Sequence, residues 1–178
     1  LNNSKKSSIK YIRIASHFHE IKKLKPYLKN IKKLGYKIIV NIMQASQKKE
    51  KLFKEVITSL KKTQTVKVVY FADSLGSMDP SQVSFICSTL KKVWKGPLGI
   101  HTHNNKGMAL NNSLAAIDSG VSWCDSTIMG MGRGAGNVNT EALLLESVNQ
   151  GKHSGVPIYL NECRKYFEPL MQEYGWGA

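Results

Sequence analysis

Hydrophobic positions along this chain alternate between two rhythms. Short apolar runs rich in β-branched residues stand at Tyr11 to Ala15, Lys37 to Met43, Val66 to Ala72, Leu98 to His103 and Trp123 to Met129, and each reads as a strand. Their starts are about 25 to 30 residues apart, the length of a strand-plus-helix unit in a parallel sheet. Between them the period becomes helical. Ile21, Leu24, Leu28, Ile31 and Leu34 share a face that ends at Gly35, a residue suited to close a helix, and Leu52, Phe53, Val56, Ile57 and Leu60 form the next stripe. Asp79-Pro80 supplies an N-cap acceptor and a proline at the first helical position, followed by Val83, Ile86, Leu90 and Val93 on one face. Residues 107 to 119 predict a fourth helix closed by Gly120, and Asn139 or Thr140 caps a fifth over Glu141 to Asn149.

Strict alternation of strand and helix predicts an α/β fold with a parallel sheet. An eight-stranded barrel takes about 250 residues, so a chain of 178 residues supplies either part of one or a complete open sheet. Residues 1–150 carry the alternation as one domain, and 151–178 read as a truncated C-terminal helical extension.

Charge changes this picture little. Residues 1–67 hold 18 Lys and Arg against 3 Asp and Glu, whereas 68–178 hold 8 against 9, so the whole excess lies in the first part. Lysines 22, 23, 25, 29, 32 and 33 interleave with the apolar stripe, as on the solvated face of an amphipathic helix, and Lys outnumbers Arg. That pattern argues against nucleic acid as a partner. Cys87, Cys124 and Cys163 are odd in number and widely spaced, which points to a reducing compartment. No apolar run reaches the roughly 20 residues of a membrane span and no signal peptide stands at the start, so the expected location is cytoplasmic with no membrane partner.

The candidate chemistry gathers at strand ends. His101 and His103 are spaced i, i+2, which on a strand points both imidazoles to one face, where they can hold one metal ion. Taken alone, a His-x-His is more often two histidines bonded to neighbours. Asp73-Ser74 follows a strand and suits either a ligand-orienting carboxylate or a turn that caps the following helix. Asp125 reads as a partner behind the site or, more simply, as a hydrogen-bonded core carboxylate. Gly130 to Asn137 is a glycine-rich loop whose backbone can approach a bound group closely. As a dinucleotide fingerprint it is weak, because no second strand ending in an acid follows. His17 and His19 form a rival pair at a strand-to-helix turn, where at most one faces the site, and Cys124 has no nearby base and reads as core.

Ile12-Arg-Ile-Ala-Ser-His17, Ala72-Asp-Ser-Leu-Gly-Ser-Met78, His101-Thr-His-Asn-Asn105, Asn112-Ser-Leu-Ala-Ala116 and the loop Gly130 to Asn137 together resemble, in order and spacing, the metal-dependent pyruvate aldolase and carboxyltransferase superfamily, which is HMG-CoA lyase-like. The nearest branch is that of the 4-hydroxy-2-oxovalerate aldolases. The resemblance implies an aldolase-type (β/α)8 TIM barrel of which this chain supplies strands four to eight. It further implies a carbon–carbon lyase that releases pyruvate and an aldehyde from a 2-oxo acid, with Mn2+ or Mg2+ bound by His101, His103 and an aspartate from a first strand outside the chain. By the same match Asn137 is a further ligand or a group behind the ligands, and Ser74, Asp73 and His17 are the substrate contacts. The catalytic base is expected from the missing N-terminal part and a tyrosine from beyond residue 178, so the fragment alone is expected to be inactive. Relatives form homo-oligomers or channel product to an aldehyde dehydrogenase.

Three departures bear on substrate. Asn104 stands where much of the superfamily has Asp, Arg133-Gly134 replaces the Glu-Arg of isopropylmalate and homocitrate synthases, and the loop lacks the cysteine of hydroxymethylglutaryl-CoA lyases. Two alternatives stay open: a Claisen-type acyltransferase using an acyl-CoA, and a non-catalytic module binding anionic partners through the lysine-rich surface.

Overall fold

The predicted alternation is realised as five parallel strands in sequential order, β1-β2-β3-β4-β5, in a computed structural model that describes residues 1–46, 48–151 and 159–177. The strands are β1 (Tyr11–Ser16), β2 (Lys37–Ile42), β3 (Val66–Asp73), β4 (Leu98–Thr102) and β5 (Trp123–Cys124). They alternate with α1 (Lys25–Lys33), α2 (Glu50–Thr63), α3 (Pro80–Val93), α4 (Ala109–Asp118), α5 (Thr140–Asn149) and α6 (Tyr159–Tyr174). This is the sheet of a partial aldolase-type barrel, with sequential order and every neighbour parallel.

Local chemistry explains the boundaries. Gly35 takes φ +84 after α1 and Gly120 takes φ +79 after α4, a region that residues with a Cβ avoid. Asp79 accepts the Gln82 N–H at 2.9 Å while Gln82 Oε1 accepts the Asp79 N–H at 3.0 Å, a reciprocal capping box at the start of α3. Asn139, rather than Thr140, caps α5 by accepting the Ala142 N–H at 3.0 Å. The first predicted helix divides into a 3-10 turn over Ile21–Leu24 and α1, which begins at the Lys25-Pro26 step. The lysines along it are exposed, as the amphipathic pattern implies.

The predicted final strand is the largest correction. The run Trp123 to Met129 pairs as a strand only over Trp123–Cys124; Thr127 makes a single bridge to Asn139, and Ile128–Gly130 is a 3-10 turn. Asp125 N–H still donates to Ile100 O at 3.1 Å, after which Thr127 N–H turns to Val138 O at 3.1 Å, so the glycine loop captures the chain before a longer ladder forms. The proposed division at residue 151 borders 152–158, which lie outside the described residues; the helix expected in 151–178 is α6.

The sheet has two faces of different character. Toward the helices, Ile38, Val40, Ile42, Val69, Phe71, Leu98 and Ile100 join Phe53, Ile57, Leu60 and Leu90 in the main core. The opposite face carries the small cluster Ile39, Val68 and Tyr70 together with polar side chains. Central β2 and β3 are buried along nearly their whole length, whereas edge strand β1 alternates. The sheet curls enough that its two edges meet across this second face: the rings of Tyr11 and Trp123 lie 5.6 Å apart although β1 and β5 are the outermost strands. That concave face is the bore. Among the described residues no helix is long and apolar enough to cross a membrane.

Candidate metal centre

On β4 the pleat sends Leu98, Ile100 and Thr102 under the helices and Gly99 and His101 into the bore. His103 follows one residue past the strand and keeps the alternation, because its N–H donates to Asp73 O at 3.3 Å and its backbone bridges Asn137. The two imidazoles therefore share a side, with ring centroids 5.1 Å apart and planes at 83°.

His101 is held from behind. Asp125 Oδ2 lies 2.9 Å from His101 Nδ1 and 2.6 Å from Arg13 Nη2. Burial alone pushes the Asp125 carboxyl up, but hydrogen bonds and positive charge from His101 and Arg13 outweigh it and hold the group at about 2. An ionised carboxylate only accepts, so His101 Nδ1 is the donor in this contact and Nε2 is the nitrogen left for another partner. The sequence offered two readings of Asp125. It is in fact a partner behind His101, on the bore side, and it fixes both the tautomer and the ring plane of that histidine.

Arg13 is fixed in turn by Tyr70, whose ring centroid lies 4.1 Å from the guanidinium carbon. Burial, then the Asp125 charge, push the Tyr70 hydroxyl up, and it stays protonated. The Tyr70 ring occupies the space over Gly99, where any Cβ would collide with it. Gly99→Ala is expected to destabilise the protein by about 1–3 kcal/mol through overpacking, measured as a lower urea midpoint with unchanged slope. A wild-type midpoint would show that the ring has somewhere else to go.

The surroundings of His103 favour its neutral form. Burial is the main cause lowering its pKa, the positive surroundings of His101 and Arg133 add to it, and Asp73 opposes it. A neutral imidazole is the form that ligates a metal.

The glycine loop brings a third donor. Asn137 N–H donates to Gly130 O at 3.0 Å, closing the loop on itself, and Gly136 at φ +77 lies so close to Gly130 O that no side chain fits there. Asn137 Nδ2 donates to Met131 O at 3.0 Å. Its Oδ1 is buried with no partner. A buried amide oxygen without a partner, on a residue whose backbone bridges His103, is together with two imidazoles the donor chemistry of a divalent cation site, and these residue types fit one. Among the described residues no group of three or more His, Cys, Asp and Glu assembles, so this chain presents two imidazoles and an amide oxygen.

The other expected residues are placed as follows. Asp73 is fully buried, and its two oxygens accept Ser77 N–H and Met78 N–H at 3.0 Å each, so its carboxylate closes the turn into α3. Of the two readings offered for it, the turn-closing one matches this geometry. Ser74 Oγ accepts Gln44 N–H at 2.9 Å, leaving the hydroxyl proton to be donated elsewhere. His17 stacks on His19, centroids 5.7 Å apart, and its backbone N–H donates to Glu20 Oε2 at 3.4 Å. The three cysteines are free, and burial pushes the Cys124 thiol up to about 11 and the Cys87 thiol up to about 12, consistent with core roles. Arg13, Tyr70 and Gly99 went unrecognised in the sequence. Their signals were a lone charge inside the first apolar run and a lone glycine inside the fourth.

Comparison with known proteins extends this geometry. Residues 6–163 match the HMGL-like family. A 4-hydroxy-2-oxovalerate aldolase from Pelotomaculum thermopropionicum is 33% identical over 168 residues, covering 93% of this chain and 49% of the relative. The crystallised N-terminal domain of an aldolase candidate from Bacteroides vulgatus superposes with a TM-score of 0.88 at 30% identity, covering 95% of this chain and 56% of that one. The HMG-CoA lyase from Brucella melitensis superposes with a TM-score of 0.83 over 95% of this chain and 69% of its own, at 18% identity, a likeness of fold. The chain spans about half the length of the curated relatives it matches.

Proposed function

We propose, from the premise that this chain belongs to the HMGL-like family, that it is the metal-site half of a lyase that makes or breaks a carbon–carbon bond beside a 2-oxo acid. The reaction in view is that of the 4-hydroxy-2-oxovalerate aldolases, giving pyruvate and an aldehyde. The observation that carries this reading is the pair of imidazoles 5.1 Å apart on one side of the sheet, with Asn137, whose Oδ1 is buried and unpartnered, bridged through its backbone to His103.

His101 Nε2, His103 and Asn137 Oδ1 would hold the ion, Mn2+ or Mg2+. A bound divalent ion supplies Lewis acidity toward a chelating 2-oxo acid, drawing electron density from its carbonyl. The chain's own residues do the rest of what is visible here. Asp125 keeps His101 in one tautomer and one orientation, and Arg13 keeps Asp125 ionised. Ser74, its lone pair engaged by Gln44 N–H, has a proton to donate to a substrate carboxylate at the mouth. Asp73 and Gly76 shape the turn that carries Ser74 there, with Asp73 acting through the backbone. The catalytic base lies outside these residues in this reading, so the 178 residues by themselves should turn over no substrate.

The test is made on the full-length protein. Pyruvate released from a 4-hydroxy-2-oxo acid is measured with Mn2+ and after chelation, in parallel with acetyl-CoA consumption. Metal-dependent pyruvate release without acetyl-CoA consumption is expected; consumption of acetyl-CoA would move the reading to a Claisen-type acyltransferase.

A further inference from the structure

We propose that the segment following α6 clamps the glycine loop and that Trp176 is a positioning residue for Asn137; the consequence for the metal rests on the reading above, the geometry does not. Trp176 is 8% exposed although glycines flank it on both sides. Its indole Nε1–H donates to Met129 O at 3.1 Å. The next residue, Gly177, donates its N–H to Gly134 O at 3.1 Å. Two consecutive residues of the segment thus take hold of the loop at its start and at its middle.

Met129 is the point where this hold matters. It stands at φ 52, a left-handed conformation that a side-chain-bearing residue keeps only when its surroundings over-determine it. Two anchors do so. Its N–H donates to both Glu141 carboxylate oxygens, at 3.2 and 3.1 Å, and its carbonyl receives the Trp176 indole. Gly130 follows directly and accepts Asn137 N–H at 3.0 Å, and Asn137 bridges the backbone of His103. The path from indole to amide oxygen is therefore Trp176, Met129, Gly130, Asn137, with each step a covalent neighbour or a short hydrogen bond. The cavity lined by Asn104, Gly130 and Asn137 on one side is walled on the other by Met171 of α6 and Gly177, so the same segment also shields that side of the loop.

Trp176→Phe in the full-length protein keeps an aromatic ring in place and removes the indole N–H with part of the ring volume. In the metal-free protein, amide exchange across residues 130–137 is expected to accelerate roughly three- to tenfold, the effect of losing one hydrogen bond, while exchange in β2 and β3 stays at the wild-type rate. The Mn2+ dissociation constant is expected to rise by a similar factor. Trp176→Ala should enlarge both effects; if it also loosens β2 and β3, the Phe variant alone decides. Unchanged loop exchange in Trp176→Phe overturns the clamp, and faster exchange with wild-type Mn2+ affinity overturns its role in placing Asn137. If loop exchange accelerates but the wild-type protein takes up no Mn2+, the clamp stands and the metal reading falls.

Discussion

His101→Ala in the full-length protein is expected to abolish metal-dependent turnover and to leave the purified protein without its divalent ion. The ligand set on this chain is small, two imidazoles and one amide oxygen, and among the described residues no other His, Cys, Asp or Glu joins them to compensate. Removing one imidazole also leaves Asp125 without its histidine partner and opens the ion's place to water. The loss in affinity should exceed the about 10–100-fold that follows removal of an outer hydrogen-bond partner. His103→Ala should behave alike, since its ring stands 5.1 Å away on the same side. Metal content by emission spectroscopy after gel filtration, together with turnover, decides the matter. Wild-type metal content and activity in either variant would refute the assignment of these histidines as ligands.

Asp125→Asn carries the second large effect, in a residue that touches no ion. The substitution keeps the shape and removes the charge that now lies 2.9 Å from His101 Nδ1 and 2.6 Å from Arg13. An asparagine that offers its oxygen to Arg13 must offer its NH2 to His101. The imidazole then moves its proton to Nε2, the nitrogen that should face the ion. Arg13 also becomes an uncompensated positive charge near a cation site. Mn2+ affinity is expected to fall about 10–100-fold, read by calorimetric titration, while the Tyr70 and Gly99 packing beneath stays intact. Wild-type affinity in Asp125→Asn would show that the carboxylate does no more than balance Arg13.

The first four strands, the Asp79 N-cap of α3 and the glycine ends of α1 and α4 were legible because each depends on residues within a few positions. The His-x-His geometry was legible for the same reason: strand pleat puts i and i+2 on one side, and the structure keeps them there. Resemblance of five ordered segments named the family, and the HMGL-like match over residues 6–163 agrees.

The final strand shows the limit of local pattern. Trp123 to Met129 looks like a strand by composition, yet the ladder stops at Cys124 because the glycine loop competes for the same backbone groups through Val138 and Asn139. Asp73 shows another: its place after a strand suited either role, and only the positions of the Ser77 and Met78 amides assign it to the turn. By itself, then, the sequence determined the alternating elements, the shared side of the two histidines and the family. The tertiary structure alone decided that Arg13 and Asp125, on opposite edges of the sheet, meet behind His101, because their meeting depends on how far five strands curl and not on any pattern within one of them.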